Sequence, residues 1–419
     1  MLRIIKKLIP AKLFTALLSA YHYLLALAGA VWYEFPSRKI YCIAVTGTKG
    51  KTSTVELINS ILEEAGYRTA VAGTLRFKIA DKDMPNLYKM TMPGRLFQQW
   101  FLYRAAKAGC THAILEMTSE GAKQFRHKFI DLDILVFTNL APEHIESHGS
   151  YEKYLDAKLS IARELGKSLK KHTAIIANVS DPVGRQFLNV AGRIRERIPY
   201  SLADAHPYKL SDGGIEMFVS GKPIRSRLRG RFNVFNILAA IAVARHIGAP
   251  WKAVQAGIER VSSIRGRMEE IAEGQKFSVF VDYAHTPDSL AAAYEALHGK
   301  NLLCVLGATG GGRDRWKRPK MGEIADAYCS RIILTDEDPY DEDPKIIVDD
   351  VRGGVKEKNV EVLMDRREAI ARALRLAKSP NDAVIITGKG TDPYIMTANG
   401  KKIPWDDAGV AREELEKIK

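Results

Sequence analysis

Residues 40–65 constrain this chain more than any other stretch. An apolar run at 40–45 reads as a buried strand, and Val55, Leu57, Ile58, Ile61 and Leu62 recur as a helix face over 55–65. Between them lies Gly47-Thr48-Lys49-Gly50-Lys51-Thr52-Ser53. A strand, a glycine turn and a Lys-Thr pair opening a helix make a cradle for the phosphates of a nucleoside triphosphate. Backbone N–H groups and the positive helix end face the anion, Lys51 neutralises its outer phosphates, and the Thr52 hydroxyl suits Mg2+. Only Thr48 and Lys49 separate the two glycines, so this is a shortened form of the common phosphate loop.

The remainder of the chain continues the α/β pattern. Strand-like runs at 41–45, 113–116, 134–139, 173–178, 278–282, 302–306, 331–336 and 383–387 are separated in many places by helical stretches. That alternation predicts mostly parallel sheets with ligands at the strand C-termini. Residues 199–229 hold short alternating runs and the turn pairs Gly213-Gly214 and Gly221-Lys222, which predict a small antiparallel patch. A domain boundary is expected at 262–266, after a helix over 251–261.

Composition narrows the class. With 419 residues, 27% charged and 46% hydrophobic, the chain reads as an ordinary soluble protein of two or three domains. Its four cysteines are far apart and lack zinc-ligand spacing, so no disulfide framework is expected and a reducing cytoplasm fits. A net charge of +14 suits anionic partners. No RNP-like motif or dense basic arm points to nucleic acid.

The N-terminus departs from this pattern. Arg3, Lys6, Lys7 and Lys12 precede a run at 13–33 without Asp, Glu, Lys or Arg, long enough to span a bilayer. It is long for a signal peptide, and Tyr33-Glu34-Phe35 is unlike a small-residue cleavage site. A span with the basic residues inside would put the phosphate loop on the side away from ATP. His22, Tyr21, Tyr23, Trp32 and Tyr33 suit an interface better than a bilayer centre. Three readings stay open: a helical hairpin packed on the next domain, peripheral contact of residues 1–35 with the inner membrane face, and a true span.

Three further stretches carry chemistry. Glu116 ends a strand, where a carboxylate serves either as a Mg2+ ligand or as a solvated strand end. Thr138-Asn139-Leu140-Ala141-Pro142-Glu143-His144-Ile145-Glu146-Ser147-His148-Gly149 follows an apolar strand, and Gly149 argues against one long helix bearing a two-histidine zinc site. Lys158, in Tyr154-Leu155-Asp156-Ala157-Lys158, would by default be a solvated helix charge.

Together with the phosphate loop, these stretches resemble the Mur ligase superfamily, the ATP-dependent amide ligases of peptidoglycan precursor synthesis. The resemblance covers nearly the whole chain from residue 40 and is greatest to the MurE type, UDP-N-acetylmuramyl-tripeptide synthetase. Arg265-Gly266-Arg267-Met268-Glu269, Val281-Asp282-Tyr283-Ala284-His285-Thr286-Pro287 and Gly310-Gly311-Gly312-Arg313-Asp314-Arg315-Trp316-Lys317-Arg318-Pro319 add to it. After the apolar helical segment at 1–39, the resemblance implies a P-loop central domain at 40–263 and a Rossmann-like C-terminal α/β domain at 264–419. It implies a monomer working in the cytoplasm. Lys51, Glu116, His144 and Lys158 become the catalytic group. Thr52, Glu116, His144 and a carbamylated Lys158 would serve two Mg2+ ions. ATP would be held by Gly47, Thr48, Gly50, Lys51, Thr52, Ser53, Asn233, Asn236, Arg267 and Asp282. The partners implied are a UDP-MurNAc-peptide-like acceptor and a free amino acid.

The chain departs from the family pattern where substrates are chosen. Thr91, Ser119 and Arg126 match acceptor-side positions, but Glu120 replaces a histidine. Tyr340 stands where diaminopimelate-adding enzymes have an arginine, leaving no cation at that point, while Glu337, Asp338 and Asp341 add negative charge. Asp392, three residues after Lys389, replaces a glutamate. With Arg313 as a further substrate residue, this predicts L-lysine or a similar diamino acid. Only about 40 residues precede the phosphate-loop strand, so the family's uridine-binding domain is expected to be missing and the acceptor held differently. A folylpolyglutamate synthetase-like ligase and a membrane-associated Mur-fold scaffold without turnover are the alternatives.

Overall fold

Strand β1 (Tyr41–Thr46) is buried along all but its first residue, as a strand covered on both faces must be. In the computed structural model, which describes residues 11–143, 145–358 and 360–418, β1 lies inside an eight-stranded sheet. Its companions are β2 (Thr69–Ala72), β3 (Arg76–Ile79), β4 (Lys82–Pro85), β5 (His112–Glu116), β6 (Ile134–Phe137), β7 (Ala174–Asn178) and β8 (Glu196–Tyr200), in the order β4-β3-β2-β5-β1-β6-β7-β8. Strands β2 to β8 across β5, β1, β6 and β7 run parallel; β3 and β4 pair antiparallel at one edge. The chain leaves β1 for β2 on one side and later returns to β6 on the other. The end of β1 is therefore a switch point, where ligands of open α/β sheets bind.

The chain divides into two units, Met1–Leu140 with Glu152–Asp204 and Phe235–Ile258, and Ala141–Tyr151 with Ala205–Val234 and Glu259–Lys419. In the first, α1 (Ala11–Trp32) precedes a short turn of helix at Pro36–Lys39. The described part is thus one helix, not a hairpin. Buried Ala26 and Ala30 and the bare face of Gly29, where a Cβ would lie 3.0 Å from Leu96 Cδ2, let it settle on α3 (Arg95–Lys107), which follows α2 (Lys51–Glu64). Among the described residues no helix is long and apolar enough to cross a membrane. The helices α4 (Tyr151–Leu165), α5 (Arg231–Ile247) and α6 (Trp251–Arg260) come later in the chain.

The second unit contains the predicted antiparallel patch, β9 (Tyr208–Ser211), β10 (Gly214–Val219) and β11 (Lys222–Ser226). Its main sheet has β12 (Glu269–Glu270), β13 (Ser278–Asp282), β14 (Asn301–Leu306), β15 (Arg331–Leu334), β16 (Val360–Val362) and β17 (Asp382–Thr387), in the order β12-β13-β17-β14-β15-β16, parallel except for β12. Successive strand residues face opposite sides. Phe280, Cys304, Leu306 and Ile385 pack with α7 (Pro287–Glu295), α8 (Lys317–Tyr328) and α9 (Pro344–Arg352). Val281, Leu303, Val305 and Ile386 pack with α10 (Arg366–Leu376) and α11 (Asp407–Glu416). One finding corrects the cysteine reading: Cys304 in β14 and Cys329 at the end of α8, 6.1 Å apart at Cα, are joined by a disulfide. Cys42 and Cys110 are free and buried.

Candidate active site

The phosphate loop is held from below by the strand that neighbours it. Thr48 N–H donates to Asn139 O (2.8 Å), Lys49 N–H to Asn139 Oδ1 (2.9 Å), and Thr138 Oγ1 to Lys49 O (2.7 Å). Gly50 has φ +79°, and a Cβ there would meet Asn236 Oδ1 at 2.3 Å, so glycine is required by both backbone and space. Asn236 therefore lies against the loop itself. Lys51 opens α2 and donates from Nζ to Thr48 O (2.9 Å); Ser53 is buried in the same first turn.

Glu116 ends β5 beside this turn. Its Oε2 accepts from Thr52 Oγ1 (3.1 Å) and Thr74 N–H (2.9 Å), and its Oε1 from Thr74 Oγ1 (2.9 Å). The Thr74 hydroxyl also meets Thr91 Oγ1 at 2.8 Å. One carboxylate thus joins the phosphate loop to the loop carrying Thr91, which the sequence assigned to the acceptor. Nearby, Arg126 donates to Met92 O and to Gln124 Oε1, and Ser119 is buried at the start of a short helix. Lys158 lies buried on α4 with Nζ 2.7 Å from Gly47 O and 4.9 Å from the Tyr154 ring centroid; the Tyr154 hydroxyl meets Thr48 Oγ1 at 2.8 Å. A carbonyl and a ring face suit the ammonium form of this lysine.

The Thr52 hydroxyl and Glu116 carboxylate are hard oxygen donors at a helix N-terminus, which fits Mg2+. Among the described residues no group of three His, Cys, Asp or Glu side chains gathers as a metal cage. An ion bound by few protein oxygens, with phosphate and water completing its shell, is the usual habit of Mg2+. His144 lies outside the described residues.

The second unit groups the other candidates. Asp282 ends β13 and accepts from Met268 N–H and Ala284 N–H, both at 2.7 Å, which ties the turn carrying Arg267 to the sheet. The Arg267 guanidinium stacks 4.5 Å from the Tyr283 ring centroid. The charge of Asp392, then burial, pushes the Tyr283 phenol well up. His285 bridges Tyr283 O (2.6 Å) and Glu143 Oε1 (3.1 Å). Asn233 Nδ2 donates to Arg229 O (2.7 Å).

Around the predicted amine pocket the structure changes the electrostatic picture. Lys389, wholly buried, donates to Asp338 Oδ1 (2.8 Å), Tyr394 O (2.7 Å) and Asp392 Oδ2 (3.3 Å). Asp341 Oδ1 accepts from Asn399 N–H (2.7 Å). Burial pushes the Glu337 carboxyl up, and its Oε1 takes the Thr309 hydroxyl at 2.7 Å. Arg313 lies near enough to Tyr340 to interact with it electrostatically, which brings a cation close to the position where the sequence offered none. Behind this cluster Arg366 grips Asp407 through two bonds (2.8 and 2.7 Å) and reaches Thr387 O (2.8 Å), clasping the end of β17.

Sequence reasoning overlooked Thr74 and the Glu143–His285 pair. Thr74 follows Gly73 directly after β2, and a Gly-Thr at a strand end was the available signal. Nothing local marks two residues 142 positions apart as neighbours.

Comparison with known proteins agrees with this architecture. Residues 45–244 match the Mur ligase middle domain, and residues 266–390 match the Mur ligase glutamate ligase domain. A UDP-N-acetylmuramoyl-L-alanyl-D-glutamate–2,6-diaminopimelate ligase of Syntrophomonas wolfei is 36% identical over 409 residues, covering 93% of this chain and 81% of that protein. A UDP-N-acetylmuramyl-tripeptide synthetase of Roseiflexus is 36% identical over 420 residues, covering 94% and 82%. A solved diaminopimelate ligase superposes with a TM-score of 0.62 at 31% identity, covering 90% of this chain and 79% of that one. A folylpolyglutamate synthase of Mycobacterium tuberculosis superposes with a TM-score of 0.71 at 17% identity over 88% and 92%, a likeness of fold alone. The phosphate loop at a sheet switch point, both domain matches and these relatives establish that the chain belongs to the Mur ligases, a family of ATP-dependent ligases.

Proposed function

We propose that this ligase joins a diamino acid, L-lysine or a close analogue, to the carboxylate of a UDP-MurNAc-dipeptide-like acceptor during peptidoglycan precursor synthesis. The observation that carries the reading is Glu116, bonded both to Thr52 of the phosphate loop and, through Thr74, to Thr91 of the acceptor-side loop. It supports a shared place for the terminal phosphate and the acceptor carboxylate. Residues 40–263 would carry ATP and 264–419 the incoming amine, in a cytoplasmic monomer.

A carboxylate is a poor electrophile at neutral pH. Its oxygen attacks the γ-phosphorus, releasing ADP and leaving an acyl phosphate. The free amine then attacks the acyl carbon, expels inorganic phosphate and loses a proton as the amide forms. Lys51 and the loop N–H groups would stabilise the charge that builds on phosphoryl oxygens. Mg2+ bound at Thr52 and Glu116 would supply further neutralisation there. In this reading Ser119 and Arg126 border the acceptor, Asn233, Asn236, Arg267 and Asp282 serve the nucleotide, and Lys158 with His144 serves a second ion after carbamylation. The carbamate would retain one Nζ–H, which can still donate to Gly47 O.

Arg313 suits the α-carboxylate that every amino acid brings, so its presence beside Tyr340 does not by itself select a distal carboxylate. Lys389 engages both Asp338 and Asp392, and Asp341 accepts from Asn399 N–H; in this reading the three carboxylates together favour a side-chain ammonium. The test is phosphate release with Mg-ATP and UDP-MurNAc-L-Ala-D-Glu, scanning L-lysine, L-ornithine and meso-diaminopimelate, with Lys51→Ala as control. Acceptor-dependent release with lysine or ornithine supports the whole reading. Release with meso-diaminopimelate alone retains the ligase and overturns the amine assignment, and silence with every amine rejects the acceptor.

A further inference from the structure

The outer face of α1 is as apolar as its inner one. Leu17, Tyr21, Leu24, Val31 and Trp32 are 52%, 57%, 61%, 58% and 80% exposed, and they recur at helical spacing along one side. The opposite side is already occupied: Ala26 and Ala30 are buried on α3, and Tyr23 packs edge-on against Phe125 (5.8 Å) and Phe129 (5.2 Å). Among the described residues, nothing covers this second, apolar face.

The patch does not stop at the helix. Leu96, which abuts Gly29, is itself exposed, as are Met84, Leu87, Tyr88 and Met90 from the segment before it. Two guanidinium groups border this surface. Arg126 reaches Met90 Sδ (3.8 Å), Arg95 donates to Gln124 O (3.0 Å), and both lie near enough to His22 on α1 to act on it electrostatically. The Glu120 carboxylate acts in turn on Arg126. The sequence adds Arg3, Lys6 and Lys7 before the helix and Lys12 in its first turn, and no Asp or Glu occurs before Glu34.

We propose that the outer face of α1 and the adjoining 84–96 segment dock on an anionic lipid surface, with the helix lying in the plane of the headgroups. The chemistry selects this occupant. Cationic residues at one end and beside an apolar face complement anionic headgroups, while two copies of the same surface would bring like charges together. Tyr21 and Trp32 suit the depth where rings are half wet. Leu17, Leu24 and Val31 gain by leaving water. The helix lies on the membrane rather than through it, since its inner face is committed to α3.

The experiment is co-sedimentation of the full chain with phosphatidylcholine vesicles, with and without phosphatidylglycerol. Binding is expected only with phosphatidylglycerol. Leu24→Glu and Trp32→Glu should each lower partition at least about ten-fold, while Leu210→Glu, exposed in the other unit, should leave it unchanged. ATP turnover in lipid-free solution should be the same for all four proteins, which separates docking from catalysis and from misfolding. Three results would overturn the proposal: no binding to either vesicle, binding insensitive to the two face variants, or a lipid-free dimer that Leu24→Glu dissociates.

Discussion

Two oxygens of Glu116 accept from the Thr52 hydroxyl and from the N–H and hydroxyl of Thr74, so the carboxylate is oriented before any ligand arrives. Its charge, more than its shape, is what a cation and developing phosphoryl charge need. Glu116→Gln should keep the fold and lower kcat by about 100-fold or more, the order seen when one preorganised electrostatic group is lost. Measuring kcat together with the thermal transition separates the two effects: an unchanged kcat would remove Glu116 from the chemistry. Tyr340 offers a different lesson at this scale. Its replacement of an arginine suggested a site without a cation, yet Arg313 comes from another loop to within electrostatic reach of it. Local charge cannot be read from one position when another segment supplies the neighbour.

The phosphate-loop helix α2 depends on a contact made between elements. A Cβ added to Gly257 on α6 would lie 2.5 Å from Ile61 Cα and 2.7 Å from Ile61 N, both backbone atoms that cannot rotate away. Glycine here permits the close approach of two helices. Gly257→Ala should force them apart and cost about 1–3 kcal/mol, despite alanine's better helix propensity. Urea unfolding gives the value, and a variant as stable as the parent would show that the helices are free to separate. A rise in KM for ATP would accompany the loss, because α2 carries Lys51 and Thr52 at its first turn.

Across the whole molecule, acid sensitivity should trace partly to one buried ring. His127 is held down to about 4 by burial, its Nε2 is 3.5 Å from Ser160 Oγ, and its Nδ1 has no partner among the described residues. Above the ordinary histidine value the ring is neutral folded or unfolded. As pH falls from 6.5 towards 4, the unfolded chain binds a proton that the folded one refuses, so stability drops by about 3 kcal/mol by the lower limit. Unfolding free energies of the parent and of His127→Gln, compared at pH 7 and pH 4.5, should diverge in favour of the variant at low pH. Parallel pH profiles would mean that the ring titrates normally in the folded state.

The sequence by itself determined the α/β class, the strands that form the two sheet centres and the phosphate loop, because each is written in contiguous residues whose spacing has one low-energy backbone. Short or half-exposed strands such as β3, β4, β8 and β16 were not legible, since they gain their partners from a sheet already in place. For the residues proposed to surround the acceptor and the amine, the sequence offered residue types but not the electrostatic balance among them. Tertiary structure alone decided that Lys389 engages Asp338, that Arg313 meets Tyr340 and that Glu116 joins two loops through Thr74. It also decided which face of an almost uniformly apolar N-terminal helix would be covered. The physical reason is common to all of these. Hydrophobic periodicity is a property of neighbours along the chain, whereas charge pairing, burial and exposed faces belong to neighbours in space, and only folding brings those together.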